Sequence, residues 1–308
     1  MIVLRFTSGL GNQMFQYSFY SYLKKRYPKA EVLADISWYE WNSAHQGFEL
    51  EKLFKRDDNP DFIFEKAGHF KAWQASGTFP QTSEAVRYIN RITRLFAGKH
   101  FERQRLSETG REDENVLKER IDNLDPAKNT YITGYFLKED YYADNLSELR
   151  KAFSFDISNI GEDNRRLLDE IRTCNSVSVH VRRGDYLTSG KAQGFLSLDM
   201  DYYRKAVEFI KERVKDPVFY LFSDDADFLR KNFSWLENTR IVSGNDGDRS
   251  YIDMLLMSRC CHNITANSTF SEWAGLLNAD KDALVIYPKA YIQDKDSDIK
   301  HINGWHRI

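Results

Sequence analysis

Residues 176–186 read Ser-Val-Ser-Val-His-Val-Arg-Arg-Gly-Asp-Tyr, the order expected of a strand that delivers charge at its own end. Val177, Val179 and Val181 alternate as a buried strand does, and Arg182, Arg183, Gly184 and Asp185 follow where that strand should stop. In open α/β sheets, ligands bind just outside the carboxyl ends of strands. Guanidinium is always charged and its planar fork matches phosphate oxygens, so two arginines there suit a phosphate. Gly184 would let the backbone turn sharply and approach a ligand closely. The competing reading is a surface ion pair between Arg183 and Asp185. Cell adhesion through Arg183-Gly184-Asp185 is a poor reading, because the triplet follows a buried strand and does not sit on a loop tip.

Three further constellations repeat the pattern of a strand followed by polar residues. Gly9-Leu10-Gly11-Asn12-Gln13-Met14 follows the strand at 2–6, opens a helix, and is followed by Asp35 at the end of the next strand. This comes close to a dinucleotide fingerprint, but Met14 stands where the third glycine belongs. A tight turn with backbone amides at a helix start can hold an anion or a sugar hydroxyl, or be purely structural. Thr265-Ala266-Asn267-Ser268-Thr269-Phe270-Ser271-Glu272-Trp273 follows the strand 261–264. Its Ser, Thr and Asn are preferred helix caps, and Glu272 lies three residues after Thr269 as in a capping box. A helix N-terminus is also an anion site, and opposite the arginine-bearing strand end it would complete a pyrophosphate clamp. Finally, Phe219-Tyr220-Leu221-Phe222-Ser223-Asp224-Asp225 ends in carboxylates. One of these could accept the N1–H and N2–H pair of guanine, or cap the following helix.

These motifs need elements to hold them, and 308 residues suit about two domains. Strands are predicted at 2–6, 31–35 and 130–136, and near 179, 219, 241, 263 and 285. Helices are predicted at 13–27, 84–96, 113–124, 139–152 and 162–173. The stretch 36–129 reads as largely irregular and aromatic. Alternating β and α argues for a mostly parallel sheet with helices on both faces. A boundary at 155–161 gives two Rossmann-like halves with a cleft between them. With 44 basic and 46 acidic side chains the net charge is −2, which gives no reason to expect nucleic acid as partner. Cys174, Cys260 and Cys261 show neither a disulfide framework nor zinc spacing. Asp-x-Asp pairs recur at 199/201, 225/227, 246/248, 294/296 and 296/298, too often to mark a metal site, so no metal is expected. No apolar run approaches the ~20 residues that span a bilayer, and no signal peptide is visible. The expected location is the cytoplasm, with peripheral association at the inner membrane face as a variant of it.

The segments Gly9-Leu10-Gly11-Asn12-Gln13-Met14-Phe15-Gln16-Tyr17, His180-Val181-Arg182-Arg183-Gly184-Asp185-Tyr186, Phe222-Ser223-Asp224-Asp225 and Ala266-Asn267-Ser268-Thr269-Phe270-Ser271-Glu272-Trp273 together resemble the bacterial α-1,2-fucosyltransferases. They occur in that family's order and span residues 9–273. The chain departs at Glu272, where the family pattern often has an aromatic residue. The resemblance implies a GT-B-type α/β fold of two Rossmann-like domains facing a central cleft. It also implies GDP-fucose as donor and inversion at the anomeric carbon without an essential metal or cofactor. It suggests His180 near guanosine, Arg182 on the β-phosphate, Ser268, Thr269 and Phe270 on phosphate oxygens, and Asp224 near guanine. Gly11 and Asn12 would line the donor side from the first domain.

Breaking the sugar C1–O bond leaves GDP with new negative charge and gives the sugar oxocarbenium character. Arg182 and a helix N-terminus supply preorganised positive charge for that leaving group. Asp185, beside the clamp, is the first choice for the base that deprotonates the acceptor hydroxyl; its alternative task is to hold Arg183. The expected division is residues 1–155 on the acceptor side and 156–308 for GDP-fucose. Trp38, Tyr39 and Trp41 would meet a galactose-terminated glycan. Two other functions compete: an NAD-dependent oxidoreductase using Gly9, Gly11 and Asp35, and a non-catalytic carbohydrate-binding protein using the same aromatics.

Overall fold

The computed structural model describes residues 1–42, 45–79, 86, 89–90, 102–108, 114–125, 127–183, 198–289 and 302–308. The chain forms two compact units, Met1–Ser154 and Phe155–Ile308.

The first unit holds four parallel strands: β1 (Ile2–Arg5), β2 (Val32–Asp35), β3 (Arg103–Ser107) and β4 (Asn129–Thr133), in the order β2-β1-β4-β3. Val3 and Leu4 are fully buried, as expected of a short apolar strand between two neighbours. The first helix runs Leu10–Arg26, three residues earlier than its apolar spacing suggested, so Gly11 and Asn12 lie in its first turn. β3 is a correction to the sequence reading, which left 36–129 without a strand. Arg-Gln-Arg-Leu-Ser buries only Leu106, and an edge strand with one buried side chain has little apolar signal. The helix expected at 139–152 is also corrected: two 3₁₀ turns, Glu139–Tyr141 and Ala143–Asn145, precede a helix over Leu146–Ala152. Tyr141 and Tyr142 are each 2% exposed. Consecutive helical positions point about 100° apart, so irregular backbone accommodates burial of both rings. The helix expected at 84–96 lies largely outside the described residues.

The second unit holds six parallel strands: β5 (Ser176–Val181), β6 (Val218–Ser223), β7 (Thr239–Ile241), β8 (His262–Ile264), β9 (Val285–Tyr287) and β10 (His306–Arg307). Their order is β10-β9-β8-β5-β6-β7. From β5 the chain moves outward to β6 and β7, then returns to the other flank of β5 to lay down β8, β9 and β10. This is the doubly wound dinucleotide-fold order, with its switch point between β5 and β8. All six β5 residues are buried. Val177, Val179 and Val181 pack with Tyr202, Val207, Phe219 and Ile264 in one core. The alternate residues, Ser176, Ser178 and His180, point to the opposite face, as period-two alternation requires.

Candidate functional site

The row Ser176, Ser178, His180 shows how β5 sets up a site at its carboxyl end. Ser176 Oγ accepts the Cys261 amide at 3.1 Å, and Ser178 Oγ accepts Asn263 Nδ2 at 2.7 Å. Each buried hydroxyl is thus answered from β8 or the residue before it. His180, the third in the row, is 5% exposed, and its Nδ1 is buried with no hydrogen-bond partner among the described residues. A buried polar atom without a partner is costly and rare in folded proteins, so one at a strand end points to a ligand. Burial, with Arg182 adding to it, lowers the imidazole to about 3, so the ring is neutral at physiological pH. Its centroid lies 5.8 Å from that of Phe270, in the first turn of the helix Thr269–Leu277.

That helix follows β8, directly across the switch point. Ser268 is its N-cap and makes no side-chain capping bond, and the expected box is displaced by one residue because Glu272 occupies the fourth helical position. Glu272 is fully buried. The loop is held instead by Ser271, whose Oγ accepts the Ala266 amide at 3.1 Å and donates to the Ser268 carbonyl at 3.2 Å. The first turn therefore begins without help from the cap hydroxyl, and a helix start of this kind attracts anions.

Arg182 is 28% exposed, with Nη1 3.3 Å from Asp224 Oδ2. Asp224 Oδ1 accepts the Arg183 amide at 3.0 Å. The register explains the meeting: Val181 pairs with Ser223, so the next residues of the two strands stand side by side. Asp224 thus faces the arginine pair, a placement the guanine expectation did not include. Asp225 is the helix cap, accepting the Phe228 amide at 2.8 Å. The Arg183 guanidinium carbon lies over Phe228, 3.8 Å from the ring centroid, and its buried Nε has no hydrogen-bond partner among the described residues. Asp185, expected as the base, and Gly184 lie outside the described residues. Residues 294–298 also lie outside them; Asp199 is the cap of the helix Met200–Lys211.

In the first unit the glycine-rich turn has a different construction from a nucleotide loop. A Cβ on Gly9 would stand 3.2 Å from Nδ1 of the exposed His45, a tight contact that the glycine relieves. The Leu10 amide at the helix start lies beside the Glu49 carboxylate and favours its charged form. Burial raises Glu49 to about 7, against the pull of Lys52 and of that amide. Gly11 is buried and Asn12 half-buried. Asp35 accepts the Tyr131 hydroxyl at 2.6 Å and the Ser37 amide at 3.0 Å and is 4% exposed. It has no face left for a ribose, which removes the physical basis of the oxidoreductase reading.

Trp38, Tyr39 and Trp41 share the short helix Trp38–Trp41 and form edge-on contacts through Trp38. Trp41 is 40% exposed, whereas Tyr39 turns inward and donates its hydroxyl to the Ser8 carbonyl at 2.9 Å. Sequence reasoning missed Gln13 and Gln16, both fully buried. Gln13 Nε2 donates to the carbonyls of Ser8 and Gly47, and its Oε1 accepts the Glu49 amide, each at 2.9 Å. Gln16 Oε1 accepts the Thr7 amide at 3.0 Å, and its Nε2 reaches the Gly134 carbonyl at 2.9 Å. Two glutamines three apart on an apolar helix face were the available signal.

Among the described residues, no helix is long and apolar enough to cross a membrane, and no cluster of His, Cys, Asp or Glu is grouped to hold a metal ion. The model of glycosyl transferase family 11 matches residues 100–308. An alpha-1,2-colitosyltransferase of Escherichia coli is 31% identical over 302 residues, covering 96% of this chain and 94% of the relative. Galactoside alpha-(1,2)-fucosyltransferase 2 of Mus musculus is 29% identical over 168 residues, covering 52% of this chain and 48% of its own length. Among solved structures, the fucosyltransferase NodZ from Bradyrhizobium superposes with a TM-score of 0.53 at 17% identity, covering 90% of this chain and 91% of that one. The two parallel-sheet units are of the GT-B type.

Proposed function

We propose, from the premise that this chain belongs to glycosyl transferase family 11, that it is an inverting galactoside α-1,2-fucosyltransferase using GDP-fucose. The observation that carries the reading is the convergence at the β5/β8 switch point. Arg182, the unpartnered Nδ1 of His180 and the start of the helix Thr269–Leu277 stand together at the carboxyl ends of adjacent strands. Fixed positive charge and an open donor or acceptor are what a nucleoside diphosphate needs.

In the reaction, the 2-hydroxyl oxygen of a terminal galactose attacks the fucose anomeric carbon from the face opposite GDP. The C1–O bond breaks, its electron pair leaves with the β-phosphate, and the hydroxyl proton passes to a base, for which Asp185 is the first choice. Arg182 answers the charge that grows on the β-phosphate oxygen. Residues 268–270 hold the phosphates, and His180 meets the nucleoside. Asp224 holds the arginines in place, and its guanine role is open to the test below. The second unit serves the donor, with Gly11 and Asn12 contributing from the first; the first, with Trp41 exposed and Trp38 half-buried, serves the glycan. GDP-fucose is a co-substrate, and no cofactor enters.

A second donor has a specific observation in its favour: a 31% identical relative over nearly the full chain is named for colitose, the 3-deoxy counterpart of fucose. The deciding experiment incubates the protein with GDP-fucose or GDP-colitose and a series of galactose-terminated oligosaccharides, follows GDP release, and determines the product linkage. Release of GDP with formation of an α-1,2 linkage is expected. Glycan binding without GDP release from either donor would favour a carbohydrate-binding protein instead.

A further inference from the structure

The first unit has a switch point of its own. In the order β2-β1-β4-β3 the chain leaves β1 toward β2, then crosses to build β3 and β4 on the other flank, so the reversal lies between β1 and β4. Ligands of open α/β sheets bind in the crevice outside the strand ends at such a point. Two side chains close the top of this one: Ser8 Oγ and the Tyr135 hydroxyl are hydrogen-bonded across it at 3.2 Å.

The backbone there is strained and heavily braced. Ser8 has φ 69° and Phe136 has φ 55°, left-handed values that non-glycine residues seldom adopt. Gln16 spans the gap beneath them, from the Thr7 amide to the Gly134 carbonyl. Gln13 and the Tyr39 hydroxyl both hold the Ser8 carbonyl. Glu108 Oε2 accepts the amides of Tyr135 and Phe136, each at 2.8 Å. Despite this bracing, Tyr135 is 44% exposed. The loop geometry is fixed so that a phenol and a hydroxyl stand outward at the place where the topology opens.

The chemistry favours a neutral sugar. Two hydroxyls can each donate and accept, as a pyranose requires, and an exposed aromatic ring can lie against a sugar's C–H face. The Glu108 carboxylate, built into the same turn through the Tyr135 and Phe136 amides, disfavours a phosphate there. The geometry points to Ser8 and Tyr135 as an acceptor subsite that hydrogen-bonds the terminal galactoside and stacks on it. This rests on the glycosyl-transfer reading above and adds to it the residues that select the acceptor.

The test uses Tyr135→Ala, Tyr135→Phe and Ser8→Gly in the full chain. Glycine accommodates φ 69° without strain, so Ser8→Gly removes the hydroxyl while keeping or raising Tm. Tyr135→Ala is expected to raise the KM for lactose at least tenfold, and Tyr135→Phe and Ser8→Gly three- to tenfold. The KM for GDP-fucose should stay within twofold in all three. Saturation-transfer NMR with methyl β-D-galactoside, which needs no turnover, should show contact in the wild type and its loss in Tyr135→Ala. A wild type that binds the galactoside but transfers no fucose would overturn the activity and leave the subsite standing. Unchanged galactoside contact in Tyr135→Ala and Ser8→Gly, or a rise in donor KM equal to that for the acceptor, would overturn the subsite.

Discussion

His180 is the residue through which stability and donor recognition can be read together. Its folded pKa, about 3, lies below the ordinary histidine value because burial and Arg182 both oppose the imidazolium. Above pH 6.5 both folded and unfolded chains carry a neutral ring, and the folded state keeps its full stability. As the pH falls below 6.5 the unfolded chain takes up a proton that the folded chain refuses, and stability is lost. At pH 5.0, still above the folded value, the loss is 1.5 pH units at 1.36 kcal/mol each, about 2 kcal/mol. Glu49 and Asp253, both raised to about 7, act in the opposite sense and lose stability as the pH rises from their unfolded values toward 7. The whole-protein profile therefore mixes opposing contributions, and a difference isolates one. We expect urea unfolding of the wild type and of His180→Gln, at pH 7.5 and 5.0, to give a double difference of about 2 kcal/mol, with the wild type losing more on acidification. A double difference below about 0.5 kcal/mol would mean that the ring titrates as if exposed. The burial that leaves Nδ1 for a nucleoside would then be wrong.

Arg182→Ala should lower kcat by about 10²–10³, the range for loss of one preorganised donor to a developing oxyanion. Arg182→Lys should rescue it poorly, because a point charge does not reproduce a planar fork; steady-state kinetics with GDP-fucose check both. Asp224→Asn keeps an acceptor for the Arg183 amide but removes the charge facing Arg182. It should weaken GDP and inosine diphosphate about equally in calorimetric titration, whereas a selective loss for GDP would assign Asp224 to the guanine 2-amino group. EDTA should leave turnover within about twofold, since Arg182 and a helix start supply the leaving-group charge; loss of activity with recovery on Mg²⁺ or Mn²⁺ would refute that assignment.

The second unit was legible because its strands carry the pattern of fully buried parallel strands. Val177, Val179 and Val181, or Phe219, Tyr220, Leu221 and Phe222, have few other ways to be satisfied. All five strand centres read from that half, near 179, 219, 241, 263 and 285, fall within observed strands. β10, only two residues long at the edge of the sheet, has no pattern to read. The same reasoning fails at β3, whose charged residues satisfy the sheet through backbone hydrogen bonds while only Leu106 enters the core. Propensity and periodicity report side-chain burial, and an edge strand needs little of it.

At the site, sequence could place side chains at strand ends but could not say which of them would use each other. Arg182 and Asp224 are 42 residues apart, and their meeting depends on a register that pairs Val181 with Ser223. The glycine-rich segment misled more instructively. Its glycines suggested an anion turn, yet Gly9 sits against His45 and the Glu49 carboxylate lies beside the helix start. The two glutamines that follow are the working part of the motif. They reach from one helix to the loops after β1, β2 and β4, and so fix the strained backbone at Ser8. A buried glutamine on an apolar face is read from sequence as a weak place in the core. Its bonds join segments up to 118 residues apart, so its purpose is visible only once the sheet order has brought those loops to one edge.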